Sequence, residues 1–279
     1  MKMNKDVLPY FLSELTSFYS KDEAESMAFW SIHSVSNLSR SEYLLASNTL
    51  LSAQDNNLYQ DIVSRLKKHE PLQYVLGESE FYGLTMKVNS DCLIPRPETE
   101  ELVSWILKHN FKNVVDIGTG SGCIAITLAK YSDAQITAYD VSSDALNIAK
   151  ENAKLNQVNV EFVKHDIFEE IDLKKSFDLI VSNPPYVLVS EKKLMNRNVL
   201  DYEPHLALFV SDDDALLYYQ RIIEFSKAHL TNEGLLFFEI NEQKGLEIKK
   251  LLEKNEFTDI LIKKDMQGKN RMVKARMKL

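Results

Sequence analysis

The run Val114-Val115-Asp116-Ile117-Gly118-Thr119-Gly120-Ser121-Gly122-Cys123 decides the fold. Its first half is an apolar strand broken only by Asp116. Its end leads into CIAITLAKY, residues 123–131, which is apolar at helical spacing. Between them glycine stands at alternate positions. Such glycines let the backbone turn tightly and approach a ligand closely, and the helix start that follows offers free amides. Outward from this turn, apolar runs at VVDIG (114–118), QITAYD (135–140), VEFVKHD (160–166), FDLIVSN (177–183) and GLLFFEI (234–240) alternate with helical patterns at 123–131, 143–155, 213–230 and 243–255. That alternation predicts an α/β fold, a mostly parallel sheet covered by helices on both faces. The runs FTDILIKK and NRMVKARMKL are separated only by a turn at 267–269, so the last strand should run antiparallel.

The segment before the sheet has a different rhythm. Leu8, Phe11, Leu12, Leu15, Phe18 and Tyr19 recur at helical spacing, and a second helix is expected from Asp22 with Ala24, Met27, Ala28 and Ile32. Ser39 to Glu42 fits a capping box before Tyr43, and Leu58, Ile62 and Leu66 mark a fourth helix stopped by Pro71. These short amphipathic helices should pack as a bundle over residues 1–70. QYVLGESEFYGLTMKV (73–88), broken by Gly77 and Gly83, reads as a β-hairpin, giving a linker at 71–97 ahead of a domain at 98–279.

Composition narrows the function. Hydrophobic residues make 44 % and charged residues 27 % of the 279, ordinary for a chain with a real core, and the net charge of -8 argues against an extended nucleic-acid partner. The basic tail from Lys263 onward reads as edge-strand charge. Two separated cysteines and six scattered histidines suggest no disulfide and no metal, and the acidic run Asp212 to Asp214 reads as a first helical turn capped by Ser211. No signal-peptide core or membrane-length apolar run is present, so a cytoplasmic protein without membrane contact is expected.

Ligands of an open parallel sheet bind outside the carboxyl ends of its strands. Three polar segments should meet there. The first is the loop Gly118, Thr119, Gly120, Ser121, Gly122; it lacks the last glycine of the dinucleotide fingerprint, where Cys123 stands, and the lysine of a phosphate-binding loop. The second is Asp140, ending the next strand, placed either for ribose hydroxyls or as a helix cap, with Asp166 and Ile167 placed to meet an adenine or to make a turn. The third is Asn183-Pro184-Pro185-Tyr186. Its prolines prevent ladder pairing and stiffen the turn, so the Asn183 amide oxygen and the Pro184 carbonyl hold fixed directions. Two fixed acceptors can take both hydrogens of a planar NH2 group, with the Tyr186 ring as a wall.

Together, residues 116–122 and Asn183 to Tyr186 resemble the Rossmann-like class I methyltransferases that modify planar nitrogens. Residues 70–78, Phe81-Tyr82-Gly83 and Ile94 to Val103, with Pro95-Arg96-Pro97-Glu98-Thr99-Glu100 at its centre, closely resemble the release-factor glutamine methyltransferases (HemK/PrmC family). The resemblance implies S-adenosylmethionine as cofactor, S-adenosylhomocysteine as product, and the glutamine of the Gly-Gly-Gln motif in class I peptide-chain release factors as substrate. It assigns Gly118 to Gly122, Asp140, Asp166, Ile167 and Asn183 to the cofactor. It assigns Asn183, Pro184, Pro185 and Tyr186 to the glutamine amide, with Arg96 bordering the site and a monomer expected. Relatives often carry an aromatic residue where Ile167 stands. Weaker alternatives are a glutamine methyltransferase acting on a ribosomal protein, a nucleic-acid amino-methyltransferase, and a non-catalytic nucleoside-binding module; the last would have no use for Asn183 to Tyr186.

Overall fold

In the computed structural model, which describes residues 1–46, 48–170 and 175–278, the chain divides into two units. One comprises Met1–Gly77 with Asn196–Tyr202; the other comprises Glu78–Met195 with Glu203–Leu279.

The first unit holds α1 (Val7–Leu15), α2 (Lys21–Ser36), α3 (Arg40–Leu45), α4 (Ala53–Leu66) and α5 (Leu72–Leu76). Ser20 and Ser39 cap α2 and α3 through reciprocal boxes with Glu23 and Glu42, satisfying amides that a helix start leaves free. Phe11, Leu15, Ile32, Tyr59 and Leu66 fill the core. Residues 73–76, expected as the first strand of a hairpin, are instead the helix α5. Three features account for this. The Arg65 guanidinium, paired with Glu70, donates to the carbonyls of Tyr74 and Val75 at 3.1 and 3.0 Å. Gly77, at φ 77°, ends the helix in the left-handed region. Tyr74 and Val75 are buried. Tyr202, from the far segment of this unit, donates its hydroxyl to the Lys68 carbonyl at 2.9 Å.

The second unit begins with the antiparallel pair β1 (Glu78–Phe81) and β2 (Leu84–Lys87), followed by α6 (Pro97–Ile106). The hairpin expected as part of a separate linker lies in this unit: Phe81, Leu84 and Met86 join a core cluster with α6. Then come β3 (Asn113–Ile117), α7 (Cys123–Tyr131), β4 (Gln135–Asp140), α8 (Ser143–Leu155), β5 (Glu161–Lys164) and β6 (Phe177–Ser182). Beyond β6 lies β7 (Val187–Leu188); the chain then contributes α9 (Arg197–Leu200) to the first unit and continues in the second with α10 (His205–Leu208), β8 (Phe209–Val210), α11 (Leu217–His229), β9 (Leu230–Glu239), α12 (Gly245–Lys254), β10 (Phe257–Lys264) and β11 (Asn270–Met277).

Seven strands form one sheet in the order β10-β11-β9-β6-β3-β4-β5, and β11 runs antiparallel to both neighbours. Residue alternation divides each strand between two cores: Val114 packs with Leu102, Ile106 and Leu128, whereas Val115 packs with Tyr219, Ile223 and Ile248. The last strand stops at Met277, and Leu279, included in its expected span, lies outside the described residues. Asp212 to Asp214 form a separate 3-10 turn rather than the first turn of α11; Ser211 caps it by accepting from the Asp213 amide at 3.3 Å. Among the described residues no helix is long and apolar enough to cross a membrane.

Candidate active site

Register brings the predicted segments to one edge. Ile117 pairs with both Tyr139 of β4 and Ser182 of β6, so the chain leaves all three strands at the same level. The Ser182 hydroxyl also donates to the Ile117 carbonyl at 2.7 Å.

The loop after β3 is a left-handed glycine turn: φ is 73° at Gly118, 56° at Gly120 and 82° at Gly122. Gly118 and Thr119 both donate their amides to the Tyr139 carbonyl at 2.9 Å. Asn152 of α8 steadies the loop by donating to the carbonyls of Ser121 and Lys87. Thr119 and Ser121 are buried, while a Cβ added to Gly118 or Gly120 would meet nothing within 4 Å. The loop therefore faces open space at its first two glycines. Gly122 is different, because its Cβ would stand 2.8 Å from Ile126 Cδ1 and 3.0 Å from Ala149 Cβ.

Asp140 accepts from the Gly120 amide at 2.8 Å and the Ser142 amide at 2.9 Å, tying the loop to the end of β4. It is not the cap of α8; Ser142 fills that role, accepting from the Ala145 amide. Burial raises the Asp140 carboxyl above its ordinary value despite these amides. Asp166 accepts from the Phe168 amide at 2.9 Å, the turn arrangement weighed for it. Ile167 is 9 % exposed and packs in the cluster with Phe177 and Tyr219. Its neighbour Phe168 is exposed and meets Tyr218 edge-on at 5.3 Å.

Asp116, which heads the 116–122 motif but carried no role of its own in the sequence, is fully buried. The Thr119 hydroxyl donates to its Oδ2 at 2.6 Å, while Oδ1 makes no hydrogen bond among the described residues. Burial pushes this carboxyl up to about 7. The Thr119 hydroxyl and the Ala125 backbone amide both oppose that rise.

Asn183 is half-buried and donates through Nδ2 to Thr99 Oγ1 at 3.4 Å. Thr99 in turn donates to Glu239 Oε2 at 2.6 Å, and the Tyr186 hydroxyl donates to Glu239 Oε1 at 3.0 Å. The Tyr186 carbonyl accepts from Asn241, and Tyr219 donates to the Glu239 carbonyl. Glu239 is 1 % exposed; burial raises its pKa, opposed by the Thr99 and Tyr186 hydroxyls and by Arg271. Burial also raises the Tyr186 phenol. Pro184 is buried and Pro185 half-buried in this turn.

Arg96, expected to border the site, is paired with an acid. It precedes α6 as N-cap, and its Nη2 meets both oxygens of Glu203. The sequence pointed to neither Glu203 nor Glu239, and it offered Thr99 only within the segment Ile94 to Val103. Glu239 carried the signal already used for Asp140, an acid closing an apolar strand, and could have been found by it. Nothing in the sequence marked Glu203, which lies far from any strand end.

Two family models match the chain: the Methyltransferase small domain over residues 97–201 and the PrmC N-terminal domain over residues 7–77. The chain is 45 % identical to the release factor glutamine methyltransferase of Flavobacterium psychrophilum, covering 97 % of this chain and 98 % of that one. It is 40 % identical to the Bacteroides thetaiotaomicron protein of the same name, covering 98 % and 99 %. Among solved structures it resembles a methyltransferase from Pyrococcus furiosus, with TM-score 0.55, 19 % identity and coverage of 81 % and 98 %. The human Mettl16 catalytic domain gives TM-score 0.56 at 17 % identity, covering 84 % of each chain. At such identities the structural likeness speaks for the fold alone.

Proposed function

Because the chain belongs to the release factor glutamine methyltransferases, we propose that the carboxyl edge of its sheet holds S-adenosylmethionine in the glycine loop and a release-factor glutamine against Asn183 to Tyr186. The protein is an S-adenosylmethionine-dependent methyltransferase whose substrate is a glutamine side chain of peptide-chain release factors. The observation that carries the residue-level reading is the pairing of Ile117 with Ser182, from which the glycine loop and Asn183 depart side by side.

The cofactor fits the residues present. Gly118 and Gly120 leave room for it, and Asp140 keeps lone pairs for ribose hydroxyls. When bound, S-adenosylmethionine supplies an electrophilic methyl carbon on a sulfonium. The remaining difficulty is the amide, whose nitrogen lone pair is delocalised into its carbonyl. Asn183 Oδ1 and the Pro184 carbonyl accept the two amide hydrogens and fix the nitrogen in line with the methyl. Positive charge grows on that nitrogen during attack, so these acceptors hold the transition state more tightly than the ground state. Tyr186 bounds the amide plane. The proton lost afterwards comes from a strongly acidic N-methylated amide, which water can accept.

The finer substrate reading is the Gly-Gly-Gln glutamine of class I release factors, with the helical residues 1–70 gripping the factor away from the reacting amide. The test is incubation of the full chain with methyl-labelled S-adenosylmethionine and, side by side, intact release factor, ribosomal protein and RNA, with the label located by mass spectrometry. Label on that glutamine alone supports the reading; label on ribosomal protein or RNA instead would sink it.

A further inference from the structure

An asparagine side chain offers a carbonyl on one side and an NH2 on the other, and the two ends differ little in shape. Only the carbonyl can accept a hydrogen from an amide NH2; the flipped side chain would set donor against donor. What decides the direction is a question of proton counting along the bonds behind Asn183.

Glu239, when ionised, can only accept. Thr99 therefore spends its single hydroxyl hydrogen on Glu239 Oε2, at 2.6 Å, and keeps only lone pairs for Asn183. Asn183 must then turn its NH2 to Thr99, as observed at 3.4 Å, which leaves Oδ1 on the opposite side. The other carboxylate oxygen takes the Tyr186 hydroxyl hydrogen at 3.0 Å. One buried side chain on β9 thus governs two residues of the turn after β6. We infer that Glu239 is a positioning residue for methyl transfer, setting the hydrogen-bond direction through Thr99 so that Asn183 presents its carbonyl oxygen to the substrate amide. The inference rests on the reading of Asn183 as an amide acceptor.

The groups facing Glu239 are Thr99 and Glu98 from α6, Tyr186 from the turn, Arg271 from β11, and Tyr219 from α11 at its backbone carbonyl. Burial raises the Glu239 pKa, so the carboxyl takes up a proton at a higher pH than an exposed glutamate would. A protonated Glu239 can donate to Thr99, which reverses the relay, and turnover should therefore fall on the acid side.

The experiment is single-turnover methylation of intact release factor by the full chain at saturating cofactor, across pH, with cofactor affinity measured alongside. Thr99→Val removes the relay with little change of volume and should lower kcat about tenfold to a hundredfold, while cofactor Kd stays at the parental value. Thr99→Ser keeps the hydroxyl and should stay within about threefold of the parent. Glu239→Gln, which must donate to one partner, should slow turnover and lose the acid limb. Parental kcat in Thr99→Val, or an unchanged acid limb in Glu239→Gln, overturns the inference. Loss of activity in Thr99→Ser equal to that in Thr99→Val also overturns it, since packing alone would then explain both. A parent enzyme that leaves release factor unlabelled defeats the functional reading instead.

Discussion

Nη2 of Arg96 lies 2.7 Å from both carboxylate oxygens of Glu203, whose side chain is 2 % exposed against 31 % for the arginine. The pair ties the residue before α6 to the stretch before α10 and is asymmetric in its solvation. Removing the arginine leaves a buried carboxylate without its cation, whereas removing the glutamate charge leaves an arginine that reaches water. Arg96→Met should therefore cost about 3–5 kcal/mol and Glu203→Gln distinctly less. Denaturant unfolding of both variants checks the order; equal losses would mean that the pair is not effectively buried.

Gly122 and Gly120 should respond differently to the same substitution. Gly122→Ala combines a left-handed backbone with contact on Ile126 and Ala149, and should destabilise by about 2–4 kcal/mol. Gly120→Ala meets no such neighbour, so it should cost only about 1 kcal/mol of stability while impeding the cofactor. Thermal unfolding and cofactor titration of the two proteins separate packing from access.

Asp116 makes stability depend on pH. Its value of about 7 in the fold against 3.8 ordinarily means that the folded chain holds this proton more tightly than the unfolded chain. The contribution is complete below the ordinary value and is lost as pH rises through about 7. Asp116→Asn should hence gain stability relative to the parent as pH rises from about 4 to about 7 and hold that gain above it, measured without cofactor. A stability difference that stays constant over that range contradicts the raised value.

Asp140 anchors Gly120 and is proposed to meet the ribose of the cofactor. Asp140→Ala should weaken cofactor binding about 10- to 100-fold, the scale of lost hydrogen bonds to a charged group. Calorimetry reads this directly, and unchanged affinity would leave Asp140 with its loop contacts alone.

Asn183→Ala should slow turnover about a hundredfold to a thousandfold at saturating cofactor and release factor. Asn183→Asp places Thr99 and its one hydrogen between two carboxylates, so it should also fall below the parent. Near-parental turnover in Asn183→Ala would reduce Asn183 to a turn residue.

The sheet was legible because buried strands and amphipathic helices alternate without ambiguity from residue 114 onward. The motif edges were legible because glycine and proline constrain the backbone locally. The segment 73–76 was not, since Tyr74 and Val75 favour strands by type and the Arg65 guanidinium that caps their carbonyls acts from another helix. The pairing of Arg96 was hidden for a similar reason: its partner Glu203 is distant in sequence, and a pairing of that kind leaves no periodic trace. Thr99 was visible within the segment Ile94 to Val103, but its hydroxyl acquires meaning only once β9 brings Glu239 to it.

The antiparallel insertion of β11 also orders the assembly of the molecule. β10 follows β9 in the chain, yet β11 separates them in the sheet and is the strand that pairs with β10. β10 therefore cannot join by extending the sheet; it must arrive with β11 as a preformed hairpin or wait for β11 to enter. The hairpin closes over a short turn and can form quickly, whereas its docking onto β9 is a separate, later event. Arg271, which faces Glu239, travels on β11. The glycine loop, built from β3 and β4, should mature before the carboxylate behind Asn183 acquires its electrostatic surroundings. Pulse-labelled hydrogen exchange during refolding would show this as the β11 amides that pair with β9 protected last, with cofactor binding recovered ahead of methyl transfer.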